Sequence, residues 1–108
     1  MAELRNEELR IIFFNDKRDG ILGETVISGT ASEVSMHCKD LVRHAFSLDS
    51  SAILLAHNHP SGNPQPSTQD VHFTRSIVSV CKALEITVLD HIVIAAADTC
   101  SFREMGIM

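Results

Sequence analysis

Ala52-Ile-Leu-Leu-Ala56 is an uninterrupted apolar run of strand length, and it leads straight into His57-Asn-His59-Pro. Such a run reads as a strand buried on both faces, which is found where helices cover a sheet. The following loop, His57 to Pro66, holds three prolines and a glycine in ten residues. Pro66-Ser67-Thr-Gln-Asp70 then opens a helix predicted to run to about Leu84, with Ser67 as N-cap and Asp70 at capping-box spacing. The end of a buried strand, facing the start of a helix, is a place where α/β sheets commonly build sites.

The remaining pattern agrees with that class. Leu9 to Asn15 is a β-rich run, Asp16-Lys-Arg-Asp-Gly20 is a turn, and Ile21 to Ser28 is the partner strand, closed by Gly29-Thr30. From Glu33 to Leu48 the residues Val34, Leu41, Val42, Ala45 and Leu48 recur at helical spacing. Ile86 to Ala96 reads as a further strand, and Cys100 to Met108 has no clear pattern. The order β-β-α-β-loop-α-β predicts an α/β domain with a mixed sheet packed by helices. With 108 residues, 44% hydrophobic and 21% charged, the chain is one ordinary domain over 1–108 and has enough apolar content to exclude disorder.

Composition also excludes function classes. Fourteen acidic residues against nine basic ones give a net charge of −5 and a pI near 5.6, the wrong balance for a protein that grips phosphate backbones. The charge balance therefore disfavours nucleic acid as a partner for this domain alone. The longest apolar runs, Ile11–Phe14, Ala52–Ala56 and Ile92–Ala97, fall far short of the roughly 20 residues of a membrane span. The first eight residues are charged where a signal peptide would be apolar. Cys38, Cys81 and Cys100 form no Cys-x-x-Cys pair and read as reduced, packing thiols of a cytoplasmic protein.

The chemistry is concentrated in residues 57 to 70. His57 and His59 are two apart, so in an extended segment both imidazoles project to one side and can share an ion. Zinc suits imidazole plus carboxylate, and a catalytic zinc takes three protein ligands and a water. Asp70 is the candidate third ligand. It shares one helix face with Thr74, Ile77, Cys81 and Leu84, so it points inward at the end of an apolar stripe. A buried carboxylate without a partner is costly, and a metal removes that cost. Ser67 and Asp70 are equally suited to capping the helix.

A hydrolytic metal site needs a base, and Glu24 is the candidate. It shares a strand face with Leu22 and Val26, where desolvation would raise its pKa towards that of a base working near neutrality. The competing reading is an edge-strand glutamate facing solvent.

His57-x-His59-Pro, then Ser67-x-x-Asp70, with an upstream strand glutamate, resembles the JAMM (JAB/MPN+) metalloprotease signature. Gly29-Thr30, Ala56-His-Asn-His-Pro-Ser-Gly62, Pro66-Ser67, Leu89-Asp-His91 and Ser101-Phe-Arg-Glu-Met-Gly-Ile107 are similar to the C-terminal domain of RadC proteins, and this likeness covers nearly the whole chain. The resemblance implies a single JAB/MPN-like α/β domain with cytidine-deaminase-like layering. It implies zinc held by His57, His59 and Asp70, with Glu24 as general base and Ser67 stabilising an oxyanion. The implied reaction is hydrolysis of a peptide or isopeptide bond in a peptide or protein substrate. The helix-hairpin-helix region that precedes the domain in full-length RadC is absent from this sequence. The alternative is a non-catalytic DNA-repair accessory or interaction module that keeps the fold. The full set Glu24, His57, His59, Ser67 and Asp70 favours the hydrolase.

Other metal readings fail on spacing. A cupin would need a glutamate near Asn63 or Gln65, and a zinc deaminase would need Pro-Cys-x-x-Cys. Among the remaining histidines, the RadC resemblance implies that His91 lies near the site, and the other reading is a hydrogen-bonded core residue. His72, His37 and His44 are expected on the surface.

Overall fold

The computed structural model describes residues 7–17, 20–28, 38–96 and 98–108. Its strands are β1 (Glu8–Phe14), β2 (Ile21–Ser28), β3 (Ala52–Asn58), β4 (Thr87–Ile94) and β5 (Thr99–Ser101). The helices are α1 (Cys38–Ser47), α2 (Thr68–Ala83) and the short α3 (Phe102–Met105). The five strands form one mixed sheet in the order β2-β1-β3-β4-β5. Only β3 and β4 run parallel, with α2 as their crossover, and every other pair is antiparallel. This is the predicted α/β architecture, with β5 and α3 formed by the tail whose sequence shows no clear pattern.

The sheet's alternation decides which side holds the core. Leu9, Ile11 and Phe13 of β1 join Ile53 and Leu55 of β3 and Val88 of β4 in one cluster with Leu41 and Ala45 of α1 and Phe73, Ile77 and Cys81 of α2. Both longer helices therefore cover the same face. On the other face Leu54 and Ala56 are only half-buried, so the central strand is not sealed on both sides as its apolar run predicts. The predicted start of α1 and the strand-end residues Gly29-Thr30 lie outside the described residues, as does His37.

His44 departs from its expected surface position. Its ring lies 4.7 Å from that of Phe13, and its Nδ1 shares a hydrogen bond with Thr25 Oγ1. His72 is exposed, as expected.

Helix α2 begins as its sequence predicts. Ser67 Oγ accepts from the Asp70 N–H at 3.0 Å, and Asp70 Oδ2 accepts from the Ser67 N–H at 2.9 Å, completing a capping box. Asp70, Thr74, Ile77 and Cys81 are all buried, so the inward face of the helix is the predicted one. Removing the cap with Ser67→Ala should cost about 1 kcal/mol of stability, read as a lower urea midpoint with unchanged slope. An unchanged midpoint would mean that the cap does not stabilise the domain.

Candidate metal centre

The site forms where β1 starts, β3 ends and α2 begins. His57 is the penultimate residue of β3, on the face shared with Ile53 and Leu55, and is 3% exposed. His59 continues past the strand end, with its N–H bonded to the Ile94 carbonyl at 2.8 Å. The two imidazoles lie on one side, centroids 5.0 Å apart and nearly perpendicular. Gly62 adopts φ 85°, a left-handed conformation that L side chains rarely take, where the loop turns back after His59.

Hydrogen bonding fixes how His59 presents itself. Its Nδ1 lies 2.9 Å from the Asn63 carbonyl oxygen. A carbonyl only accepts, so Nδ1 carries a proton, which in the neutral tautomer leaves the lone pair on Nε2. That lone pair faces Asp70 Oδ2 at 3.0 Å. A proton on Nε2 or a metal ion bound by both atoms satisfies this contact. Asp70 is 2% exposed, and its other oxygen lies 3.5 Å from His57 Nδ1. The capping box and the histidines thus share this carboxylate.

The second carboxylate is Glu7, which the sequence reading does not single out. Its Oε2 lies 3.4 Å from His57 Nε2. Glu7, His57 and His59 each offer a ligand atom, and those atoms all lie within 4.8 Å of one another. Asp70 touches the two histidines singly and stands outside that mutual set. His57 Nε2 is buried and has no hydrogen-bond partner among the described residues. Tetrahedral zinc with bonds of about 2.0–2.2 Å puts neighbouring N and O ligands about 3.3–3.6 Å apart. The separations of Asp70 from His59 Nε2, 3.0 Å, and from His57 Nδ1, 3.5 Å, lie near that spacing, whereas Glu7 faces the other ring nitrogen of His57, Nε2. An imidazole gives one ion only one nitrogen, so His57 pairs with either Asp70 or Glu7 at a single zinc-sized ion.

Register explains Glu7. Leu9 pairs with His57 across β1 and β3, and Glu7 lies two residues before Leu9, on the same face. Glu7, Leu9, Ile11 and Phe13 form one alternating stripe whose first member lies beyond the core, beside the histidines. Asn58, between the histidines, secures this approach: its Oδ1 accepts from the Glu8 N–H. The period-2 stripe extended back by one step would have found Glu7 in the sequence.

Glu24 lies elsewhere. It pairs with Ile12 across β1 and β2, on the face away from the helices, with Leu22 and Val26 beside it at 39% and 45% exposure. Arg10 donates to its Oε1 at 2.7 Å, and the Glu24 side chain is 42% exposed. The structure does not bring it to the histidines. The Leu22–Val26 alternation is real, but β2 is an edge strand and that face is open.

Burial dominates the electrostatics. The His57 imidazole is held below its ordinary pKa chiefly by desolvation, which outweighs the opposing pull of Asp70 and Glu7. His91 is 1% exposed, and desolvation pushes its pKa down to about 3, with the neighbouring His57 adding to the effect. A cleft of about 410 Å³ opens over the site, lined by Glu7, His59, Ser61, Asn63, Gln65, Ser67, Gln69 and Asp70. Ser67 therefore sits at the cleft as well as at the cap.

The RadC-like JAB domain family matches residues 1–107. The chain belongs to that family. The UPF0758 protein YkfG of Escherichia coli strain K12 is similar to it, 34% identical over 108 residues, which is all of this chain and 68% of that protein. In this RadC-like domain the described residues contain no helix long and apolar enough to cross a membrane.

Proposed function

We propose that this RadC-like domain is a zinc-dependent metallohydrolase that cleaves a peptide or isopeptide bond. The observation that carries the reading is the convergence of two imidazoles and two carboxylates: Glu7, His59 and Asp70 line one cleft, and the buried His57 lies against both carboxylates. His57, His59 and Asp70 hold the ion. Asp70 takes the ligand role because its carboxylate is almost wholly buried and each of its oxygens faces one of the two imidazoles. Glu7 is the general base in place of Glu24, because its side chain keeps 32% of its exposure beside His57. Substrate and protons reach it from that side.

When bound, zinc supplies Lewis acidity, which brings the pKa of water towards neutrality and polarises the scissile carbonyl. The Glu7 carboxylate accepts the proton of the attacking water and delivers it to the leaving amine. The Ser67 hydroxyl, oriented by the Asp70 N–H, donates to the carbonyl oxygen as charge develops on it. Among the described residues no lysine or arginine lines the cleft, which favours a peptide or protein substrate over a phosphodiester. The reduced cytoplasm suits its thiols.

Metal analysis tests the reading. Purified protein reconstituted with zinc should hold about one ion per chain, and the His57→Ala/His59→Ala variant should hold none. Zinc absent from the wild type, or undiminished in the variant, would return the domain to a non-catalytic interaction or DNA-repair accessory role.

A further inference from the structure

His91 is a buried histidine to which no role in hydrolysis has been given. It projects from β4 into the same layer as His57, with ring centroids 5.9 Å apart. The His91 ring also stacks on Phe102 of α3, with centroids 4.3 Å apart and planes at 16°. The rings of Phe102, His91, His57 and His59 thus run in sequence from the C-terminal segment to the metal centre. His91 Nδ1 shares a hydrogen bond of 2.6 Å with Thr74 Oγ1. Thr74 lies one helical turn beyond Asp70 on the same face of α2.

The surroundings hold His91 firmly. The Asp90 carboxylate accepts from the His91 N–H at 2.7 Å and from the Arg103 N–H at 3.0 Å, and it also accepts from the Ser101 hydroxyl. Arg103 Nε donates to the Leu89 carbonyl at 2.7 Å. β5 and α3 are therefore tied to β4 at Leu89 and Asp90, immediately before His91. Packing alone would not select an imidazole here. Its Nε2 is buried without a partner among the described residues, a penalty that phenylalanine or leucine would avoid.

We infer that His91 is a positioning residue for the metal centre. It backs the His57 ring and ties β4 to the α2 turn that carries Asp70. It thereby sets the geometry in which two ligands from different elements meet one ion. The inference rests on the zinc reading above. Groups behind metal ligands typically change metal affinity by roughly 10–100-fold when altered.

The test is zinc affinity, by competition with a chromophoric chelator, together with the visible absorption spectrum of the cobalt-substituted protein. His91→Phe/Thr74→Val replaces the polar pair with apolar groups of similar size, so the variant should fold with thermal stability at or above wild type. Its zinc affinity should fall at least tenfold and its cobalt bands should shift. Thr74→Ser, which keeps the hydroxyl, should restore both when His91 is present. A well-folded double variant with wild-type affinity and an unshifted spectrum would overturn the role of His91. If the double variant does not fold, Thr74→Val alone decides: an affinity equal to that of Thr74→Ser would overturn the inference. Failure of the wild type to bind zinc or cobalt would instead sink the hydrolase reading, so the two failures are distinct.

Discussion

Glu7→Gln should retain its zinc and lose hydrolysis by ~10²–10⁴-fold, the range attributed to a positioned general base. Glutamine keeps the size and hydrogen-bonding reach of glutamate and removes only its capacity to take a proton. Glu24→Gln should leave both metal content and hydrolysis unchanged. It breaks an exposed ion pair with Arg10, both side chains being about two-fifths exposed, and such pairs contribute less than about 1 kcal/mol. Asp70→Asn should differ from both by releasing zinc, because it removes a charged ligand and weakens the cap of α2. The checks are metal content and turnover of the peptide that the wild type cleaves fastest. Loss of zinc from Glu7→Gln would make Glu7 a ligand, in keeping with its place in the mutual set with His57 and His59. Loss of activity from Glu24→Gln would contradict its position on the open face of the edge strand.

The metal-free protein should lose stability steeply as the solution becomes acidic. The folded state holds His91 neutral down to about pH 3, against an ordinary value of 6.5. Between those values the unfolded chain binds a proton that the folded chain refuses. Stability therefore rises with pH through this window, is complete above 6.5, and falls as pH drops towards 3. For His91 alone the loss at pH 5 is about 2 kcal/mol, from 1.36 kcal/mol for each unit below 6.5. His57, lowered by the same burial, adds in the same direction. Urea denaturation with chelator present, at pH 7 and pH 5, measures the difference. His91→Phe should flatten the dependence by about the His91 share, and an unaltered slope would mean that His91 titrates normally in the folded protein.

Much of the site was legible in the sequence because it is local. His57, His59, Ser67 and Asp70 fall within fourteen residues on a strand, a proline-rich loop and a capped helix. The period of 2 in the strand puts both imidazoles on one side. The period of 3.6 in the helix turns Asp70 inward with Thr74, Ile77 and Cys81, and all four are buried. The hairpin, the crossover helix and the last long strand follow from the same periodicities.

What the sequence left undecided is what strand order and register determine. Glu24 lies within a strand and Glu7 just before one, each in step with apolar alternation, and nothing local separates them. The sheet separates them by inserting β1 between β2 and β3, which sets Leu9 against His57 and carries Glu7 to the histidines. The same order leaves β2 at the edge, where Glu24 meets Arg10 in water. The contacts of His91 with Thr74 and Phe102 likewise span 17 and 11 residues of chain. Periodicity assigns a side chain to a face of its own element. Only the packed sheet decides which elements meet there, because that choice is made by burial summed over the whole core.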